Sequence, residues 1–262
     1  MRWHRISGLL LKYYYITKHS LDRILDLIYW PIFVLLVWGF TSKYVNQGSS
    51  INYVAIFIGG IALWFMAQRA AQDMSVYVLE DFWNSNLLNI FSTPLQAIEL
   101  AISTAILGFI RAMLILVVVS LTSLILFHFS LISVSYTYIP LFIISLVFSG
   151  WAIGIVITGL IFRYGTKIQV FTWSLPFLLE PFMAVFYPLS VLPVFLQKIA
   201  LIFPPTYIFE AYRGLLAGAA FPMNQFLISM ALNIVFIVLA YWYYVRSMKY
   251  ALRTGVFIRE DN

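Results

Sequence analysis

Residues 114–126 read LILVVVSLTSLIL, and a few residues on, beyond His128, the apolar run resumes as far as Phe162. Apolar side chains occupy nearly every direction around this stretch, so it has neither the alternation of a barrel strand nor the polar stripe of a surface helix. A segment of this kind belongs in lipid, where an α-helix satisfies its own backbone N–H and C=O groups. Two further runs lack Asp, Glu, Lys and Arg, at 45–68 and 214–245, and each exceeds the roughly 20 residues that cross a bilayer as helix. Composition agrees: 63% of the 262 residues are hydrophobic and 10% are charged, where a soluble domain carries about 25% charged residues.

The expected fold is an all-α membrane protein of a single domain, residues 1–262, with six transmembrane helices near 25–41, 53–71, 107–129, 138–162, 168–189 and 224–244. An even number of spans puts both termini on one side. On that side lie 12 of the 16 Lys and Arg: five before the first span, Arg69, Arg163, Lys167 and four in the tail. Lys43, Lys198 and Arg213 lie opposite, and Arg111 falls within the third span. The positive-inside rule then places the N and C termini in the cytoplasm. The net charge of +6 is explained by these flanking cations, which argues against a nucleic-acid partner. With no cysteine, a disulfide framework and a thiolate metal site are both excluded. No cleavable signal peptide is recognisable, so the first span should be retained.

Three segments outside the plain spans carry pattern. Residues 1–23 are mixed basic and aromatic, with Arg5, Lys12 and His19 seven apart; they read as an interfacial helix whose cations meet anionic lipid, or as a solvated basic tail. In 75–91, Val76, Leu79, Trp83, Leu87 and Ile90 follow helical spacing while Glu80, Asp81, Asn84 and Ser85 fall elsewhere. That is an amphipathic cytoplasmic helix, offering an acidic face to a soluble partner or lying passively on the membrane. Residues 188–221 are too apolar for a free loop and too rich in proline for a span, which suggests short re-entrant helices, with Glu210 and Arg213 spaced to pair.

Candidate chemistry is sparse. There is no H-E-x-x-H zinc motif, no G-x-S-x-G elbow and no phosphate loop, so the chain is not expected to be an enzyme or to bind a cofactor or metal itself. Arg111 either snorkels to the near headgroups or serves a function. Glu180, between Pro176 and Pro181, lies too deep to snorkel; it faces a wet cavity or pairs with a polar neighbour. Tyr13–Tyr15 and Tyr241–Tyr244 read as interfacial anchors, with ligand stacking as the alternative.

The order of short motifs resembles the ABC-2 type export permeases. They are the basic N-terminus, Tyr29-Trp30-Pro31 with Trp38-Gly39-Phe40, Ser92-Thr93-Pro94, and the stretch from Tyr187-Pro188 through Pro204-Pro205-Thr206-Tyr207 to Glu210 and Arg213. The resemblance implies a multi-pass inner-membrane permease subunit, paired with a second permease copy and with two copies of an ATP-binding cassette subunit that holds the ATP and Mg2+. It implies that 75–91 is the coupling helix, with Glu80, Asp81, Phe82, Trp83, Asn84 and Leu87 meeting the ATPase. It further implies that 188–221 forms an outer gate, so that the gate or pathway residues are Glu180, Tyr187, Pro188, Pro204, Pro205, Tyr207, Glu210 and Arg213. Substrates in such a family are lipid-linked glycans, drugs, lipids or other amphiphiles; the scarcity of hydrogen-bonding groups in the spans favours a hydrophobic or amphipathic one. Two other classes stay open: an ion- or proton-coupled carrier using Glu180, and a membrane scaffold without transport.

Overall fold

The computed structural model describes residues 2–47 and 52–256. Arg259, one of the four tail cations, and the outer ends of the 1–23 and 1–262 segments lie outside these bounds. All regular structure among the described residues is helical. Five helices are long and apolar enough to cross a membrane: α2 (Leu21–Val45), α3 (Tyr53–Trp83), α5 (Ala97–Phe127), α7 (Ile139–Tyr164, extended by a 3-10 turn to Ile168) and α11 (Met223–Thr254). Short helices connect them: α1 (Trp3–Lys18), α4 (Leu87–Ser92), α6 (Leu131–Val134), α8 (Val170–Leu179), α9 (Val194–Ala200) and α10 (Pro204–Leu216).

α3 is the axis of the bundle. From Ile58 to Ala71 every side chain is buried, between α5 on one side and α7 on the other, and α11 packs behind α7. Close approach depends on small residues. A Cβ at Gly150 of α7 would stand 2.3 Å from the Ala67 carbonyl oxygen of α3, and one at Gly154 would stand 2.6 Å from that of Ala71. Without a water-driven hydrophobic force between spans, such backbone proximity supplies the packing energy. Polar side chains join α7 to α11: Ser149 donates to Asn233 Oδ1 at 2.7 Å, and Asn233 Nδ2 donates to the Ser145 carbonyl at 2.9 Å.

Two helical expectations need correction. The fifth span, expected over 168–189, is no continuous helix. α8 has ten residues, about 15 Å of rise, which is half a hydrocarbon core. Pro181 has no N–H for the ladder, so the chain tightens into a 3-10 turn at Glu180–Met183, turns left-handed at Ala184 (φ 51°) and runs extended by Pro188. Nor is 75–91 one amphipathic helix. α3 runs straight on as far as Trp83, making 31 residues and about 46 Å. The chain then breaks at Asn84–Asn86, with Ser85 at φ 52°, before the six-residue α4.

The N-terminal helix forms as expected, but its cations find protein partners. Arg5 pairs with Glu99 at 3.4 Å and Lys12 pairs with Asp81, so neither is left for lipid. Ile6, Leu9 and Tyr13 are buried on the inner face of α1. Glu99 completes a capping box with Gln96 at the start of α5 and also accepts the Arg2 backbone N–H at 2.8 Å, which ties α1 to that helix end.

Candidate functional site

The polar groups of the spans gather at one place, where α2, α3 and α5 meet near α1. On α3, Arg69 and Asp73 are one turn apart and Tyr77 follows on the same face. Arg111 of α5 reaches across with Nη1 at 3.0 Å from Asp73 Oδ1 and donates from the same nitrogen to the Tyr77 hydroxyl at 2.9 Å. Arg69 Nε lies 3.1 Å from Asp73 Oδ2, and its Nη1 lies 2.6 Å from Asp26 of α2. Arg23 pairs with Glu80 and lies over the Tyr77 ring, 4.9 Å from its centroid. Three cations thus face three carboxylates. Arg111, Asp73 and Arg69 are 4%, 1% and 8% exposed, a burial that charged groups tolerate because each is answered by a partner.

The finding overturns the snorkelling reading of Arg111, whose guanidinium turns inward to the cluster. It also removes Arg69 from the set of loop cations that fixed the orientation, leaving 11 on that side against three.

A cavity of about 400 Å³ opens beside the cluster. Asp26, whose side chain is 49% exposed, borders it with Arg69, Asp73 and Arg111, while Trp30, Phe65, Trp173 and Phe177 supply aromatic wall. Two buried polar atoms of its lining residues have no hydrogen-bond partner among the described residues: the Gln68 side-chain oxygen, an acceptor, and Arg111 Nε, a donor. The cavity is amphipathic, with a charged floor and aromatic sides.

From the cluster, contacts lead on to α1. The Tyr77 hydroxyl shares a 2.9 Å hydrogen bond with Thr17, and its ring lies 4.6 Å from that of Tyr13. Tyr13 donates to Asp81 at 3.0 Å; burial first, and then the Asp81 charge, push its phenol well above the ordinary range and keep it protonated. Asp81 also accepts from Lys12 and, at 3.0 Å, from Asn86 Nδ2.

The expected ATPase-coupling residues therefore divide. Asp81 and Leu87 are buried, Phe82 is partly covered, and Glu80 is engaged by Arg23. Trp83 and Asn84 stay exposed, as do Ser85, Leu88 and Asn89 of the same bend. Trp83 is held by α8: its ring stacks on Trp173 at 6.0 Å and its indole donates to Gln169 at 3.1 Å. The acidic face read from the sequence is an internal contact, and the exposed surface is a neutral bend.

The expected gate residues fall in two groups. Pro204 and Pro205 occupy the first turn of α10, where their missing N–H groups cost nothing, and are buried. Tyr207 donates to the Leu201 carbonyl at 2.9 Å, and Tyr187 reaches the Pro181 carbonyl. Glu210 and Arg213 do pair, at 2.7 Å, and together hold the extended chain: Glu210 accepts the Leu189 N–H at 2.6 Å, and Arg213 donates to the Val185 carbonyl at 3.2 Å. Pro188 lies exposed between these anchor points. Glu180 stands apart, half-buried beside the Trp64 indole, whose N–H makes no geometrically complete hydrogen bond.

Sequence reading missed Asp26, Asp73 and Tyr77 altogether. The spacing of Arg69, Asp73 and Tyr77 by four residues was the available signal, since it lines one face of a span with polar groups. No protein-family profile matches the chain, and no curated protein matches it.

Proposed function

We propose that the chain is the transmembrane permease subunit of an ATP-driven exporter, moving an amphipathic or hydrophobic substrate out of the cytoplasm. In this reading it crosses the inner membrane six times with both termini inside. The fifth crossing is the broken segment from α8 through the short helices, whose free backbone ends are covered by protein. It works with a second permease copy and two copies of a separate ATP-binding subunit.

The observation that carries the reading is the amphipathic cavity, charged along Asp26, Arg69, Asp73 and Arg111 and aromatic at Trp30, Phe65, Trp173 and Phe177. Such a lining suits a molecule with a polar head and a greasy body. Its charged floor is connected through Tyr77, Tyr13 and Asp81 to α1 and to the bend at Trp83–Leu88. Force applied to that bend by a nucleotide-hydrolysing subunit would reach the cavity through these paired charges, whose separation would define a second state.

Purification of the intact complex and vesicle transport test it. An ATPase that copurifies, with export that requires ATP hydrolysis, is the expected result. Transport indifferent to ATP overturns the reading. A second reading, a proton-coupled carrier, is favoured by the placing of Glu180 at a helix break beside Trp64, with no cation paired to it among the described residues. Uptake that follows a proton gradient and vanishes in Glu180→Gln would select it.

A further inference from the structure

A larger cavity lies on the other flank of the bundle. It is a groove of about 830 Å³ between α5, α7 and α11, far more apolar than the charged cavity. Two hydrogen bonds hold its walls: Trp151 of α7 donates from its indole to the Ala105 carbonyl of α5 at 3.2 Å, and Tyr244 of α11 donates to the Ala97 carbonyl at 3.1 Å. The walls are therefore pinned at both places while the side chains between them, Ala101 and Ala105, are too small to fill the space. A void of this size does not stay empty in a membrane, because lipid chains fill whatever apolar surface the protein leaves open.

The lip of the groove is cationic. Arg246 and Lys249, three residues apart on α11, are both exposed, and neither makes an ion pair among the described residues. This sets them apart from Arg5, Lys12, Arg23, Arg69 and Arg111, each of which has a carboxylate. The Arg246 guanidinium rests 5.4 Å from the Trp242 ring centroid, and Trp242 and Tyr241, amphipathic aromatics of the kind that favour a headgroup boundary, line the groove with the two cations. From Ile237 to Lys249 the wall rises about 18 Å, with apolar residues at one end and the two cations at the other.

We propose that this groove holds one anionic diacyl phospholipid, from the leaflet at the C-terminal end of α11. Its phosphate sits on Arg246 and Lys249, and an acyl chain lies over Trp151 between α5 and α11. The site rests on membrane residence alone and is independent of how transport is energised. It is separate from the charged cavity, so it takes a resident lipid that bears on how α11 packs.

The test uses the full chain in detergent, exchanged against equimolar phosphatidylglycerol and phosphatidylcholine of identical acyl chains, with retained lipid counted by native mass spectrometry. Retention of phosphatidylglycerol about tenfold above phosphatidylcholine is expected, falling close to parity in Arg246→Gln/Lys249→Gln. Ala101→Phe, which narrows the groove and leaves the charge intact, should lower retention of both lipids severalfold, measured below the variant's own thermal midpoint. Millimolar inorganic phosphate should not displace the lipid. Equal retention of the two lipids by the unaltered chain overturns the proposal. So does an unchanged preference in the double variant, displacement by phosphate alone, or undiminished lipid retention in folded Ala101→Phe.

Discussion

Arg111 Nη1 and Asp73 Oδ1 lie 3.0 Å apart, joining α5 to α3 across the polar cluster with almost no exposure of either side chain. Their pairing lets the bundle keep two charges in its interior, where a lone ion would be costly.

Removing one partner leaves the other buried and unanswered. Arg111→Leu and Asp73→Leu should each destabilise the protein by about 3–5 kcal/mol, whereas the double variant should lose less than the sum of the two. Denaturant unfolding in micelles, analysed as a double-mutant cycle, measures the difference. Strict additivity would show that the ion pair is not coupled.

Gly150→Ala places a methyl group 2.3 Å from a backbone carbonyl of α3, which cannot move without parting the helices. A fall of several degrees in thermal midpoint is expected, on the order of the 1–3 kcal/mol of an overpacked core. Gly8→Ala is the control. No atom lies within 4 Å of its added carbon, and helix propensity alone should make it neutral or up to about 1 kcal/mol stabilising.

The extended chain after α8 is held at Leu189 by a charged acceptor. Glu210→Ala removes that acceptor and leaves Arg213 unpaired, so amide exchange at Leu189 should quicken by about tenfold or more, as expected for losing a hydrogen bond to a charged group. Exchange mass spectrometry across 185–192 reads it, with α7 peptides as the unchanged reference.

Asp81→Lys should release α1, because it sets a cation against Lys12 and removes the acceptor of Tyr13. Limited proteolysis within 3–18 is then expected to increase. Trp83→Ala with Leu88→Ser strips apolar surface from the exposed bend and also removes the Trp83 contacts with Trp173 and Gln169; under the proposed function it should weaken ATPase copurification at a cost of about 1–3 kcal/mol of stability. Normal complex yield from that pair would remove the bend as the docking surface.

Helix existence was legible in the chain because apolar runs report burial directly: five of the six expected spans fall on long helices, although α3 runs 12 residues past 71, α5 starts ten before 107 and α11 runs ten past 244. The continuous helix expected over 168–189 breaks at Pro181, whereas Pro176 is held within α8, because a proline's effect depends on whether neighbours satisfy the freed backbone groups. The polar cluster was opaque for another reason. Arg111 and Asp73 are 38 residues apart, and Arg111 reaches the Arg23 carbonyl across 88, so no window of sequence contains both halves of the interaction. The 75–91 stretch misled because its helical spacing is real up to Trp83, yet of the face taken as free Asp81 is covered by α1 and Glu80 is held by Arg23 of α2, leaving Asn84 and Ser85 exposed.

By itself the sequence determined that this protein is helical and belongs in lipid, since hydropathy and backbone hydrogen bonding are properties of each segment alone. Only the tertiary structure decided which charges are paired, where the two cavities open and which residues of the bend after α3 stay exposed. Those depend on how far α3 continues before it breaks, and on side chains 34 and 68 residues apart brought to about 3 Å, which no local pattern encodes.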